Sequence, residues 1–186
     1  MLSQHIQELL PENAKVLDVG CGDGTIDSLL EKHRPDVSIE GIDVLVRPDT
    51  KVPVREFDGF SIPHEDDSFD CVVFVDVLHH SHDATQLLRE ARRVARHSLV
   101  IKDHRRNGLL ARETLRFMGD VGNERFGVDL PYHYWSHQEW EDAFAEVGLS
   151  VLSWKQQLGI YPWPVNMLFG RGLHFVAQLG VQTRGE

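Results

Sequence analysis

The chain has 186 residues, 41% of them apolar, and a formal net charge of −10. That length suits one domain with a sizeable core, and no run of about eighteen apolar residues offers a membrane span. An acidic chain is poorly matched to nucleic acid, whose binding is driven by cationic surface. The charge is uneven, however: residues 1–88 carry 6 basic and 18 acidic side chains, 89–125 carry 10 against 5, and 126–186 carry 3 against 6. The basic middle reads either as a solvated helix face or as part of a site for an anionic substrate. Met1 to His5 shows no basic stretch running into an apolar one, so no secretory signal is expected. Cys21 and Cys71 fall at opposite ends of the predicted sheet, beyond disulfide reach. A reducing, cytoplasmic setting is the expectation.

In chain order, Ile6, Leu9 and Leu10 give a short helical stripe that Pro11 stops. Val16 to Val19 read as a buried strand, followed by Gly20, Gly22 and Gly24 at alternate positions. Ile26, Leu29 and Leu30 then recur at helical spacing. Strand, glycine turn and helix let backbone approach a ligand with no Cβ in the way and aim helix N–H groups toward it. A dinucleotide fingerprint would want a third glycine where Thr25 stands. Asp18, in the strand end, would repel a pyrophosphate and attract an ammonium group. A nucleoside bearing an amino acid fits this turn better than a dinucleotide does.

Val37, Ile39 and Ile42 predict a second strand ending at Asp43, placed where an acid accepts hydrogen bonds from ribose hydroxyls. Val52 to Phe57 predict a third strand, which Pro53 confines to an edge or starts. Asp58-Gly59 follows, then a turn-rich acidic stretch to Asp70 with no long helix. Cys71 to Val75 form a continuous apolar run, expected of a strand covered on both faces. Asp83 and Gln86 read as a capping box for a helix through Leu87, Leu88, Ala91, Val94 and Ala95. Leu99 to Ile101 form the next strand.

The segment Asp18-Val19-Gly20-Cys21-Gly22-Asp23-Gly24 resembles the first motif of class I S-adenosylmethionine-dependent methyltransferases. Ile62-Pro63, Ser68-Phe69-Asp70 and Val77-Leu78-His79-His80 are similar to a subfamily that includes quinone- and small-molecule-modifying enzymes. The resemblance implies a Rossmann-like α/β fold with a seven-stranded sheet in the order 3-2-1-4-5-7-6, its last strand antiparallel and helices on both faces. It implies transfer of a methyl group from S-adenosylmethionine to a small molecule, leaving S-adenosylhomocysteine. The implied cofactor-binding residues are Asp18, Gly20, Cys21, Gly22, Gly24, Asp43 with Val44, Asp58 with Gly59, and Val75-Asp76-Val77. Asp58 would meet the adenine amino group, and residues 75–77 the methionine part. Where the family has a Pro-Gly-Gly turn before the fifth strand, this chain has Arg96-His97-Ser98.

His79, His80, His82 and Asp83 invite a metal reading, but adjacent residues in a strand-to-helix turn diverge, and no metal is expected. Beyond His104 the resemblance thins. A possible helix spans Leu109 to Met118, Gly119, Gly122 and Gly127 follow, and Pro131 to Trp135 are rich in aromatic and titratable groups. Ser136 and Glu139 form a capping box for a helix through Trp140, Phe144 and Val147. Strands over Leu149 to Trp154 and Leu173 to Leu179 close the sheet. Residues 1–186 thus read as one domain, with 105–135 as a substrate cap that closes over the site. A base is required only if the acceptor enters protonated, and His104 and His133 are the candidates. A cofactor-binding partner subunit or sensor, and a nucleotide-dependent oxidoreductase, are the competing readings. Oligomeric state stays open, as does the acceptor, which the aromatic cap suggests is planar or apolar.

Overall fold

A computed structural model describes residues 2–108, 111–116, 133–159 and 172–182. The elements are α1 (Leu2–Gln7), β1 (Lys15–Val19), α2 (Thr25–His33), β2 (Ser38–Asp43), β3 (Val54–Glu56) and β4 (Phe69–Val75). A 3₁₀ turn (Leu78–His80), α3 (Ala84–Val94) and β5 (Ala95–His104) follow. After a helical stretch over 111–116 come α4 (His137–Glu146), β6 (Leu149–Lys155) and β7 (His174–Val181).

The seven strands form one sheet in the order β3-β2-β1-β4-β5-β7-β6. The first five are mutually parallel, and β7 lies antiparallel between β5 and β6. This is the order and polarity that the methyltransferase resemblance implies.

The continuous apolar strands are explained by burial on both faces. Leu17, Val19, Val72, Phe74, Leu99 and Ile101 point into one core with Leu87, Leu88 and Ala91 of α3 and Trp140 and Phe144 of α4. The alternate residues Val16, Cys71, Val73 and Val100 pack on the other face with Ile6 and Leu30. A strand covered on both faces has no polar side to alternate with. Cys21 and Cys71 are both free thiols.

The edge assignment of β3 has a concrete basis. Gly41 N–H donates to the Pro53 carbonyl at 2.9 Å, so the proline sits where the ladder requires only an acceptor. No helix occurs between β3 and β4. That crossover is held down instead by Arg93, whose guanidinium donates to the carbonyls of Ile62 and His64 and pairs with Glu90 and Asp66.

Two boundaries differ from expectation. Helix α3 ends at Val94, and Arg96-His97-Ser98 belong to β5, which runs for ten residues with no intervening loop. A register shift between Phe69 and Cys71 of β4 takes up the irregularity. Asp83 caps α3 by accepting from Gln86 N–H, the forward half of the expected box. Ser136 and Glu139 form both halves of theirs. Of the anticipated helix over 109–118, residues 111–116 are helical. Ala111 and Leu115 pack with Tyr134 and Leu173. Of the anticipated cap over 105–135, residues 109–110 and 117–132, with Gly119, Gly122, Gly127 and Pro131-Tyr132, lie outside the described residues.

Candidate active site

The parallel strands end on one side of the sheet, where the loops that follow them leave a cleft of about 510 Å³. In an open α/β sheet, ligands bind in the crevice beyond the carboxyl ends of the strands. Gly20, Gly22, Asp43, Val44, Asp58, Gly59, Asp76 and Val77 all line it, so eight of the twelve residues anticipated for a cofactor converge there. Arg47, Phe57, Phe60, His80, Ser81, His82 and Leu87 complete the wall.

The turn after β1 is pinned to β2. Gly20 N–H donates to the Ile42 carbonyl at 2.7 Å, and Gly22 N–H to Asp43 Oδ2 at 2.8 Å. The other Asp43 oxygen accepts from Leu45 N–H at 2.9 Å. Each carboxylate oxygen retains acceptor capacity beyond these bonds, so Asp43 can brace the turn and still receive ligand hydroxyls. Asp58 Oδ1 accepts from the N–H groups of Phe60 and Ser61, which hold its carboxyl below the usual range.

Four of the anticipated residues do not line the cleft. The Cys21 side chain packs against Gly41 of β2, where an added Cβ would lie 2.4 Å from its sulfur. Gly24, with φ 72°, faces Val52, and a Cβ there would come within 2.7 Å of that side chain. Val75 packs against the core on the α1 and α2 side of the sheet. Asp18 is buried behind the turn and faces Asp27 of α2, itself 1% exposed. Asp18 Oδ1 and both Asp27 oxygens have no hydrogen-bond partner among the described residues. Burial, and then the Asp27 charge, push the Asp18 carboxyl well above its ordinary range. Burial pushes Asp27 up to about 6.

A second group sits where β4 and β5 end. Asp76 takes a left-handed backbone, φ 58°, uncommon for a residue with a side chain. Its carboxylate pairs with Lys102 and lies 3.2 Å from His104 Nδ1. Asp103 is fully buried and accepts from His79 Nδ1 at 2.6 Å, Leu78 N–H at 3.1 Å and His104 N–H at 2.6 Å. Burial opposes ionisation of Asp103, but the His79 charge and these bonds outweigh it and hold the carboxyl well below its usual range. Burial likewise works to lower the His79 pKa, yet the Asp103 charge and hydrogen bond win and raise it. For His104 burial prevails and the pKa falls, while burial and the Lys102 charge push His174 down to about 3. The imidazoles of the cluster are therefore pushed apart, His79 upward and His104 and His174 downward.

The ligand atoms of Asp76, His79, Asp103 and His104 lie within 4.8 Å of one another, close enough for a metal ion. Lys102 and His79 already balance the two carboxylates, which weighs against a resident cation. His104, anticipated as a base, is thus part of the cluster, with Nδ1 facing Asp76. His133 is exposed and lines a second cleft of about 370 Å³ with Arg106, Arg112, Tyr134, Trp135 and Glu139. Its backbone N–H donates to the His79 carbonyl at 2.8 Å, and the Tyr134 ring stacks on His79 with centroids 5.3 Å apart. Nothing in the local pattern flagged His79 as the basic histidine, because its partner Asp103 is remote in sequence. An aspartate directly before His104 at a strand end was the available signal.

Comparison with known proteins agrees with this geometry. A family model described as "Methyltransferase domain" matches residues 2–153. Demethylmenaquinone methyltransferase of Thermotoga maritima is 33% identical over 125 residues, 62% of this chain and 52% of that protein. The 27-O-demethylrifamycin SV methyltransferase of Amycolatopsis mediterranei is 29% identical over 110 residues, 51% of this chain and 40% of that one. The chain spans about half the length, or less, of these curated relatives. A methyltransferase structure from Bacillus halodurans superposes with a TM-score of 0.69 at 18% identity, covering 98% of this chain and 99% of the other. The glycine turn, the strand-end acids and the family match together establish that the chain belongs to the methyltransferase domain family, within the class I S-adenosylmethionine-dependent group.

Proposed function

We propose that the protein transfers the methyl group of S-adenosylmethionine to a small-molecule acceptor. The observation that carries this reading is the convergence on one cleft of the glycine turn, Asp43, Asp58 and the Asp76-Val77 strand end. The residues present suit the cofactor. Gly22 lines the cleft, and a Cβ there would meet only the Arg47 guanidinium, no closer than 3.7 Å. That leaves room for a ligand against bare backbone. Asp43 would hold the ribose, Asp58 the adenine edge, and Asp76 and Val77 would border the amino-acid end. When bound, the cofactor supplies a methyl group already activated by the sulfonium charge. The chain's own work is to align an acceptor in near contact and to exclude water from the reacting pair.

The relatives named above are methyltransferases of demethylmenaquinone and of 27-O-demethylrifamycin SV, which supports a small organic acceptor here. The second cleft, lined by Arg106, Arg112, His133 and Glu139 beside Tyr134 and Trp135, is mostly polar, which supports an acceptor with polar substituents. Titration calorimetry with S-adenosylmethionine, followed by detection of S-adenosylhomocysteine released with a panel of small acceptors, tests the reading. Binding without any acceptor-dependent product would make the protein a cofactor-binding subunit or sensor. Preference for NAD would remove it from the family's chemistry.

A further inference from the structure

We infer that the second cleft binds an acidic acceptor, a small molecule carrying one carboxylate that Arg112 receives. This rests on the methyl-transfer reading and extends it to the substrate class. The basic stretch of the sequence is mostly committed within the fold. Arg89, Arg93, Arg96, Lys102 and Arg106 each pair with a carboxylate. Arg92 and Arg105 donate to backbone carbonyls. Among the described residues of that stretch, Arg112 and Arg116 are left without a partner, and Arg112 is the one that lines the second cleft.

The charges of the lining favour a single anion. Arg106 is answered by Glu139 at 2.6 Å, and Glu139 accepts in turn from Ser136 N–H at 2.6 Å as half of the α4 capping box. Glu139 is therefore occupied away from Arg112. Two arginines against one glutamate leave one positive charge in excess among the described lining residues. That excess matches a carboxylate better than a phosphate dianion, and a guanidinium offers a carboxylate two parallel N–H donors. The start of α4 does not compete for the anion. The N–H groups of Ser136, His137 and Glu139 already have acceptors in Glu139, Asn107 and Ser136.

Arg112 is exposed, but the wall that carries it is fixed. Ala111 and Leu115, on the same helical stretch, are buried with Tyr134 and Leu173, and the Tyr134 hydroxyl donates to the Leu115 carbonyl at 3.0 Å. Trp135 packs edge-on against Trp140, with centroids 4.8 Å apart. The arginine thus stands over a cleft of about 370 Å³, within the size range of small-molecule sites. That cleft adjoins the cofactor's. His133 N–H donates to the His79 carbonyl, which joins a residue of the second cleft to the segment whose Val77 and His80 line the first. A carboxylate held by Arg112 anchors one end of the acceptor and turns the other toward the Asp76-Val77 strand end, where the methyl group is delivered.

The test uses the full chain saturated with S-adenosylhomocysteine and two probes matched in shape, 4-hydroxybenzoate and 4-hydroxybenzamide. In titration calorimetry at low salt the carboxylate should bind at least about tenfold more tightly than the amide, the step expected of a hydrogen bond to a charged group. Raising the salt to about 1 M should narrow that gap. Arg112→Gln should remove the preference and leave amide affinity within about twofold, since the amide makes no ion pair. Arg112→Lys should keep part of it, because lysine retains the charge without the fork. Arg106→Gln leaves the Glu139 charge uncovered beside the anion and should weaken carboxylate binding. Adding Glu139→Gln, which still serves a capping box, should restore the preference, with Arg112 then unopposed. No preference in the wild type, a preference that survives Arg112→Gln, equal losses for both probes in that variant, no restoration in the double variant, or no binding of either probe would each overturn the inference. Failure to bind S-adenosylmethionine at all would strike the underlying methyl-transfer reading instead.

Discussion

The cofactor side of the site and its histidine side are assembled in opposite ways. Around β1 and β2 the groups that matter are close in sequence and largely backbone: a glycine turn, its N–H groups, and the aspartate that ends the neighbouring strand. Around β4 and β5 they are side chains drawn from 76–79, 102–104, 134 and 174, held by ion pairs and ring contacts. The first arrangement depends on space and backbone angle. The second depends on charge balance in a buried place. Substitutions should therefore act on the first through geometry and on the second through protonation.

The largest effect expected on the cofactor side comes from Gly22→Val. A branched side chain at φ 63° is strained and fills the space beside the turn. Affinity for S-adenosylmethionine in calorimetry should drop at least about a hundred-fold, a loss near 3 kcal/mol. A folded variant with wild-type affinity would remove the turn from the site.

Asp43→Ala should follow with a loss of about ten- to a hundred-fold, since a hydrogen bond to a charged acceptor is worth about 1.5–3 kcal/mol. Because Asp43 also holds Gly22 and Leu45, its thermal midpoint should fall as well. Unchanged affinity with a lowered midpoint would reduce Asp43 to a brace.

The buried pair Asp18 and Asp27, behind the glycine turn, tests protonation on the cofactor side. Asp27 has a folded pKa of about 6 against 3.8 for the free group. Its stabilising contribution is present below the free value and is lost as pH rises through the folded one. Asp27→Asn should thus be more stable than wild type near pH 8, on the order of 2 kcal/mol, and the gap should close below about pH 4. Thermal melts across that range decide it. A gap that does not vary with pH would mean that burial does not raise the Asp27 carboxyl.

The smallest effect belongs to Asp58→Ala. Its carboxylate is exposed and occupied with its own turn, so cofactor affinity should weaken about two- to ten-fold, as expected of an ordinary hydrogen bond.

The same contrast explains what could be read from the residues alone. Asp18 to Gly24 announced the turn because the strand, the glycines and the helix that follows are contiguous, and each local preference agrees with the next. Asp43 was legible by spacing. Cys21 and Gly24 share the motif, but their packing against Gly41 and Val52 depends on where β2 and the loop after it come to rest. The His79–Asp103 pair required knowing that β4 and β5 are adjacent and in what register, with Val75 opposite Lys102. Sequence offered the two histidine-bearing strand ends without their alignment. That is why His104 was anticipated and His79 was set aside with its neighbours. The start of β5 misled for a different reason: Arg96-His97-Ser98 is polar, yet it continues straight from α3 into the strand.

The antiparallel β7 has a consequence for the order in which the molecule can be completed. It fills the gap between β5 and β6, pairing Ser98 to His104 on one side and Leu149 to Lys155 on the other. Until residues 174–181 emerge during synthesis, β5 is an open, apolar edge, the kind of surface on which nascent chains associate wrongly. His174 arrives with that same strand and brings its ring beside His104. The cofactor turn can form early from neighbouring residues, whereas the histidine floor is finished only when β7, the last of the seven strands in chain order, is in place. A ribosome-bound chain halted before β7 should already hold the glycine turn in place while lacking a closed floor on which an acceptor could be methylated.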